Sequence, residues 1–404
     1  MMILRMAWRN LWRNPRRTIV TTAAMTLALW VMVLYSGLVE GYWRGMERSI
    51  REVEVGDVQV FAKGYLQSPS LFTTIPDVRG VLRKLDNAGI AASARLRAGG
   101  LAAVGDQSAG ISLIGLDVAR DAKVCSINKA VATGSWLDPQ DLEGVVIGRR
   151  LARALGAKPG THLVVVTQGA DGSLANDLFR VRGVLEPVSD GTDRTGVLMN
   201  EAAFRELLVM PQGAHQLIVR RAATADLDAT AARIRRLLPG LDTRTWRQLM
   251  PTVATMLDST RSVVFVVFFT VYLAVAILVL NAMLMAVFER IRELGVLKSL
   301  GFGPVGVLGL ILIESGLQTG LALVAGLLAS VPGVLYLSKI GIDVGRLGGT
   351  AVLGHAMPTV WHGEYTRQSV SGPVIMLCVM VFAGVLYPSL KAAWIRPVAA
   401  VRHL

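Results

Sequence analysis

The chain has 404 residues, of which 52% are hydrophobic and only 18% charged, a composition too apolar for an ordinary soluble protein and one that calls for several lipid-facing helices. A net charge of +13 would suit nucleic acid, but the basic residues crowd beside the apolar runs: Arg5, Arg9, Arg13, Arg16 and Arg17 precede the first, and Lys391, Arg396 and Arg402 follow the last. That distribution orients a membrane protein, so nucleic acid is set aside as a partner and the lipid bilayer takes its place.

In chain order, residues 1–17 form a basic, aromatic segment. Leu4, Trp8, Leu11 and Trp12 share one helical face while Arg5, Arg9 and Arg13 line another, which predicts a helix lying in the cytoplasmic interface; a plain basic flank is the alternative. Residues 18–39 are the first predicted span, with no charge from Ile19 to Val39. The run is too long for a cleaved signal peptide and no A-x-A-like site follows it.

Residues 40–261 change character to short β-like runs, helical stretches and glycine turns, and read as a folded α+β domain. Val53 to Phe61, Asn176 to Leu185, His215 to Arg221 and Thr243 to Trp246 are predicted strands; Pro76-Asp77 through Leu85 and Ala225 to Leu238 are predicted helices. Gly99-Gly100 and Val104-Gly105-Asp106 are predicted hairpin turns, and Gly144 to Val166 reads as strand, helix, glycine turn, strand. A β-rich insertion is expected at about 101–214. Cys125 lies in this domain and Cys378 inside an apolar run, so no disulfide between them is expected; a half-buried free thiol at Cys125 is favoured over a cross-link between protomers.

Residues 262–288, 304–338 and 368–390 are the second, third and fourth predicted spans. The stretch from Gly303 to Ser338 is too long for one upright span and barely long enough for two; with one, the basic N-terminus, the basic turn after residue 288 and the basic tail of 391–404 all fall in the cytoplasm. One long helix is therefore predicted, tilted or interrupted at Pro332-Gly333. The large domain and a shorter loop, 339–367, then lie on the far side. In that loop His355, His362 and Glu364 fit no metal-ligand spacing, and a solvated loop is favoured over a metal site.

Local signatures of catalysis are missing. There is no Gly-Lys pair for a phosphate loop, no H-E-x-x-H and no G-x-S-x-G, so no nucleotide hydrolysis by this chain and no metal or cofactor of its own are expected. Attention falls instead on ERIRELGVLKSLGF, Glu289 to Phe302, part of residues 289–303. Glu289 and Arg292, and Arg290 and Glu293, stand at three-residue spacing; Ile291, Leu294, Leu297 and Leu300 form an apolar stripe; Gly301-Phe302-Gly303-Pro304 stops the helix. Read from its residues, this is a short amphipathic cytoplasmic helix between two spans. Glu314 sits about 15 Å into the third span, where an acid costs roughly 2.5–3.5 kcal/mol and must face protein or water.

That string, with WRNLWRNPRRT (Trp8 to Thr18), the large inserted domain and the closing YPSLKAAWIRPVAAVR (Tyr387 to Arg402), resembles the FtsX/MacB/LolC-type ABC transporter permeases over nearly the whole chain. GISLIGLD (Gly110 to Asp117), VVIGRRLARALGAKPG and DGSLANDLFRVRGV (Asp171 to Val184) resemble the LolC/LolE-like permeases of lipoprotein-releasing systems. The resemblance implies a membrane α-helical fold of four transmembrane helices with a large extracytoplasmic α+β domain between the first and second, the MacB-like or type VII architecture. It implies a dimeric cytosolic ATPase, holding ATP and magnesium, that grips a coupling helix at Glu289, Arg290, Arg292, Glu293, Leu294, Gly295, Leu297 and Lys298. It also implies a second permease chain, identical or similar, an inner-membrane location with a periplasmic domain, and a lipoprotein as substrate. Regulation of a cell-wall enzyme by mechanical transmission, or export of peptides or antibiotics, are the alternatives. Tyr35, Gly37, Phe265 and Phe268 are candidates to line an opening between protomers, with ordinary lipid contact the simpler reading. For Glu314 a role in coupling stands beside a structural one between helices.

Overall fold

A computed structural model of the protein describes residues 2–222, 224–289, 293, 303–343, 351–352, 355–356 and 360–394. Four helices are long and apolar enough to cross a membrane: Pro15–Ile50, Pro251–Glu289, Pro304–Lys339 and Arg367–Trp394, here the first to fourth spans. The chain divides into a helical unit (Met1–Arg44, Met256–Arg346, Val360–Leu404) and a second unit made of Gly45–Thr255 with Leu347–Thr359.

In the helical unit the first three spans, of 36, 39 and 36 residues, outrun the bilayer. The second, at 39 residues, is about 58 Å long against a hydrocarbon core of about 30 Å. Met25 and Leu29 of the first span, Tyr272 and Val279 of the second, Val307 and Ile311 of the third, and Leu377 and Val385 of the fourth form a common core. Phe265, Ile277, Leu328 and Phe382 point outward, as lipid-facing residues must. Without a hydrophobic drive between helices in lipid, close packing decides which faces meet, and small residues permit it. A Cβ on Gly326 would come within 2.9 Å of the Leu29 side chain and one on Gly333 within 2.9 Å of Leu34, so the first and third spans nest at these points. Gly384 likewise sits 2.8 Å, by the same measure, from the Ala276 carbonyl, joining the second and fourth spans. The third span is one long helix that runs unbroken through Pro332, so of the two alternatives, tilt or interruption at Pro332-Gly333, the interruption is not found.

The N-terminal helix, Met2–Leu11, packs on the third span. Its inward face is Ala7 and Leu11, both buried, while Leu4, Trp8 and Trp12 remain exposed and available to the interface. Leu11 therefore leaves the face predicted for it, because the helix has a protein side as well as a lipid side. The described end of the loop before the fourth span, 360–366, packs on the first span instead of standing in solvent. Trp361 packs on Tyr42 at 4.4 Å between ring centroids, the Glu364 N–H donates to the Gly37 carbonyl at 2.9 Å, and the Tyr365 ring occupies the place a Gly37 side chain would take. Among the described residues no His, Cys, Asp and Glu side chains group to hold a metal.

The second unit is built on a ten-stranded mixed sheet in the order β10-β1-β9-β2-β3-β8-β5-β7-β4, with β6 bridging β2 and β7. The strands are β1 (Val58–Phe61), β2 (Ala91–Val104), β3 (Gln107–Leu116), β4 (Val131–Gly134), β5 (Gly144–Ile147), β6 (His162–Gln168), β7 (Leu174–Leu185), β8 (Gly196–Asn200), β9 (Gln216–Arg220) and β10 (Asp242–Thr245). Strand β6 shows the two-residue period plainly: Leu163, Val165 and Thr167 are buried while His162, Val164 and Gln168 are exposed. Helices Val78–Asn87, Arg149–Leu155, Glu201–Leu207 and Leu227–Leu237 contribute Leu85, Leu151, Phe204 and Ile234 to the core, each worth roughly 1.5–3 kcal/mol when fully buried. Asp77 caps the first of these by accepting from the Gly80 N–H at 2.9 Å.

Two expectations fail here. Gly99-Gly100 is not a turn; it lies inside β2, and the reversal comes at Gly105, whose φ of 56° suits glycine. Gly100 is glycine because a Cβ would sit 2.8 Å from the Val166 carbonyl of β6. The proposed insertion boundary at 101 falls within the same strand, which pairs β9 through Ala91–Arg95 and β6 through Leu101–Ala103 and so belongs to both parts.

Candidate functional site

The sequence segment after the second span is only partly described. Arg290, Arg292, Leu294, Gly295, Leu297 and Lys298 lie outside the described residues, together with Ile291 and Leu300. Glu289 and Glu293 are described, and both reach the N-terminal segment. Glu289 accepts from Arg17 Nη1 at 3.0 Å and from Asn14 Nδ2 at 3.1 Å. Glu293 receives both terminal nitrogens of Arg13, Nη1 at 2.7 Å. This bidentate pair raises the Arg13 guanidinium above its ordinary value, the hydrogen bond it donates to Glu293 being the main cause. The turn between Leu11 and Pro15 makes the reach possible: it separates the two N-terminal helices and points Arg13 and Asn14 toward the end of the second span.

A second set of contacts runs along the third span. Glu314, Gln318, Ala322, Gly326 and Ser330 recur every fourth residue and are all buried. Asn10 Nδ2 donates to Glu314 Oε2 at 3.5 Å. One turn further on, Gln318 Nε2 donates to the Thr18 carbonyl at 3.3 Å and to Thr21 Oγ1. The upper part of the stripe is small and receives Leu29. The N-terminal segment is thus held at one end by Glu289 and Glu293 and along its length by a polar and then a small-residue seam.

In the second unit the connections to the first and second spans enter adjacent strands. A π-turn, Arg51–Val55, follows the first span and leads into β1; β10 precedes the helix Trp246–Leu249 and the second span; β1 and β10 pair from Val58↔Thr245 to Phe61↔Asp242. Charges cluster at this root. Asp57, almost fully buried, binds Arg51 Nη1 at 2.8 Å and Arg221 Nε at 3.0 Å, and accepts the Arg221 N–H at 2.9 Å. Glu54 accepts the hydroxyls of Ser189, at 2.6 Å, and Thr192. Its backbone carbonyl accepts from Arg95 Nη1 at 3.0 Å, and Arg95 in turn grips Asp121 in parallel, Nε to Oδ1 at 2.8 Å and Nη2 to Oδ2 at 2.9 Å. Burial opposes the Arg95 charge, but Asp121 outweighs it and the guanidinium stays well above its ordinary value. The Cys125 thiol points at the same carbonyl; burial pushes it up to about 12, and it is fully buried where a half-buried thiol was expected. Cys125 and Cys378 are both free.

The lining proposed between protomers does not hold together. Phe268 is buried against Tyr35 and Tyr272, Gly37 is occupied by Tyr365, and of that set only Phe265 is strongly exposed. Asn10, Arg13, Asn14, Arg17 and Gln318 were not singled out as site residues. The four-residue repeat from Glu314 to Ser330 is the signal that points to the seam; nothing local marks the partners of Glu289 and Glu293.

Four membrane helices with a mixed-sheet domain inserted between the first and second define the architecture of a membrane permease that carries one large domain outside the bilayer. Residues 18–237 match the family model for the MacB-like periplasmic core domain and residues 265–397 that for the FtsX-like permease C-terminal region; the chain belongs to the FtsX/MacB-type ABC transporter permeases. It is similar to the lipoprotein-releasing system transmembrane protein LolC of Neisseria meningitidis serogroup B, 22% identical over 96% of this chain and 94% of that protein. It is also similar to an uncharacterized ABC transporter permease of Methanocaldococcus jannaschii, 23% identical over 67% of this chain and 65% of the other. Among solved structures, the periplasmic region of MacB from Actinobacillus actinomycetemcomitans aligns with 51% of this chain and 95% of its own, at 14% identity and a TM-score of 0.38. The chain is therefore a membrane-spanning transport subunit with a periplasmic-type domain.

Proposed function

We propose that this chain is the inner-membrane permease of a lipoprotein-releasing ABC transporter, driven by a separate cytosolic ATPase dimer that holds ATP and magnesium, and paired with a second permease chain. Residues 289–303 receive the push, with Arg290, Arg292, Leu294, Gly295, Leu297 and Lys298 presented to the ATPase. Glu289 and Glu293 brace Arg17 and Arg13. The observation that carries this reading is that brace: a displacement of the segment after the second span is passed directly to the start of the first span, and through the Glu314–Gln318 seam to the third. The first and second spans lead to β1 and β10, neighbouring strands of one sheet, so their relative movement shears the root of the periplasmic domain.

The substrate class rests on the LolC relative. Lipid anchors resist extraction, at about 0.8 kcal/mol per buried methylene, so release demands an external engine. The test reconstitutes the permease with its ATPase and measures ATP-dependent release of an acylated lipoprotein from liposomes. Release that is lost with Leu294→Glu and reduced with Glu314→Gln is the expected result. No release with ATPase activity still stimulated by the permease leaves the mechanical-regulator reading. ATPase association unchanged in Leu294→Glu removes the coupling assignment.

A further inference from the structure

Strand β2 carries Arg95 and Arg97 on one face, two residues apart. Arg95 is matched by Asp121, whereas the Arg97 side chain makes no hydrogen bond and no ion pair among the described residues, and its Nε is shut away from solvent without an acceptor. Burial, the main influence, lowers the Arg97 guanidinium from its ordinary value; Glu54 is the carboxylate that acts on it, and both Glu54 oxygens already accept hydroxyls from Ser189 and Thr192. The backbone is fixed from below, since the Arg97 N–H donates to His215 Nδ1 at 2.9 Å.

Arg97 borders a cavity of about 390 Å³ that also meets Tyr65, Pro69, Leu71, Phe72 and Ser112. Neither the Tyr65 nor the Ser112 hydroxyl bonds to protein among the described residues, so three donors line an open-mouthed cleft without a protein acceptor among these residues. On the loop side Pro69, Leu71 and Phe72 make the wall apolar, and Phe72 is 72% exposed at its rim. Arg97 is half-buried, with its Nε shut away, and its planar fork matches a carboxylate or phosphate in two parallel bonds. The volume lies within the range of small-molecule pockets.

We infer that this cavity is a binding site for a small amphipathic oxyanion, its phosphate or carboxylate head on Arg97, Tyr65 and Ser112 and its apolar substituent along Leu71 and Phe72. Nothing in the transport reading requires such a site, and the two stand or fall separately.

The test uses the full-length permease in a non-ionic detergent, with hexyl phosphate, hexanoate, inorganic phosphate and hexanol as probes and calorimetry as the readout. Hexyl phosphate or hexanoate is expected to bind roughly tenfold or more tighter than either inorganic phosphate or hexanol, since each of those lacks one half of the contacts. Phe72→Ala is expected to weaken hexyl phosphate by about fivefold and leave inorganic phosphate unchanged. Arg97→Gln should weaken the charged probes by roughly tenfold or more while its thermal unfolding stays close to that of the natural protein, because no protein hydrogen bond or ion pair of the side chain is lost. If that variant fails to fold, Arg97→Lys keeps the charge, loses the fork, and should lose most of the affinity with the fold intact. Equal binding of hexyl phosphate and inorganic phosphate overturns the amphipathic ligand, and affinity indifferent to both Arg97 variants overturns the site.

Discussion

The protein carries two polar networks built on opposite principles. Where the second span ends beside the N-terminal segment, Arg13–Glu293 and Arg17–Glu289 are half in solvent, with side chains 57% and 48% exposed in the first pair and 21% and 41% in the second. In the periplasmic domain, Arg95–Asp121 is sealed, at 1% and 2%. Exposed pairs contribute little net stability and exchange readily with water, so a segment held by them can be displaced and recaptured. Buried pairs do not exchange: separating one partner leaves a charge in a medium that cannot solvate it. On the proposed coupling, force would enter at the yielding network and be delivered at the stiff one.

The strongest way to break this contrast is at the sealed end. Asp121→Asn leaves Arg95 buried and charged without a counter-ion, and should cost about 3–5 kcal/mol, read as thermal unfolding of the β signal in circular dichroism. Replacing both partners, Arg95→Met with Asp121→Leu, should recover most of that loss, because the pair's own net contribution is small. A single variant as stable as the natural protein would mean that water reaches the pair.

Next in size is the seam between the first and third spans. Gly326→Val places side-chain atoms where Leu29 now lies and should cost roughly 1–3 kcal/mol through overpacking. Truncating the obstacle with Leu29→Ala in the same chain should relieve part of it, and non-additivity of the two measured in detergent unfolding sharpens the assignment of this contact.

Smaller still is an acid effect on the periplasmic domain. His215 is fully buried and lowered from its ordinary value, chiefly by burial, with Arg97 and Arg205 adding to it. Both ring nitrogens are engaged: Nδ1 accepts from the Arg97 N–H at 2.9 Å, which leaves Nε2 to donate to the Leu71 carbonyl at 3.0 Å. The fold therefore holds the neutral ring while the unfolded chain takes up a proton near pH 6.5. Stability is complete above that pH and falls as the pH drops through it, by at most about 1.4 kcal/mol per unit. His215→Gln should flatten unfolding midpoints between pH 7 and pH 5; an unchanged slope would assign the effect elsewhere.

These features differ in how far the sequence reveals them. The spans, their order and the basic flanks are written in local pattern: uninterrupted apolar runs of about 20 residues bounded by arginine and lysine leave few alternatives. The β strands of the domain are legible where the period of two is clean, as in β6 and β7. Gly99-Gly100 misleads because a glycine pair marks either a reversal or a close approach by a neighbouring strand, and only the presence of β6 distinguishes them. The Leu11 side of the N-terminal helix is ambiguous for a related reason, since hydropathy does not separate a lipid face from a protein face. Asp121 for Arg95 and Arg13 for Glu293 are invisible locally: the partners are 26 and 280 residues apart.

The exposed pair gives the smallest effect on stability and the most direct test of the proposed coupling. Arg13→Glu opposes two carboxylates across the gap between the N-terminal segment and Glu293, yet both groups can turn to water, so the unfolding midpoint should barely move. If the brace transmits displacement, substrate-coupled ATPase activity should fall while binding of the ATPase persists. Glu293→Arg alone should do the same, and the two together restore an attractive pair in reversed order and should return much of the activity. High salt should weaken the natural pair and the reversed pair alike, since both are open to screening. Activity lost in each single variant and not regained in the double would place the role of these residues in contacts to the ATPase and not to one another.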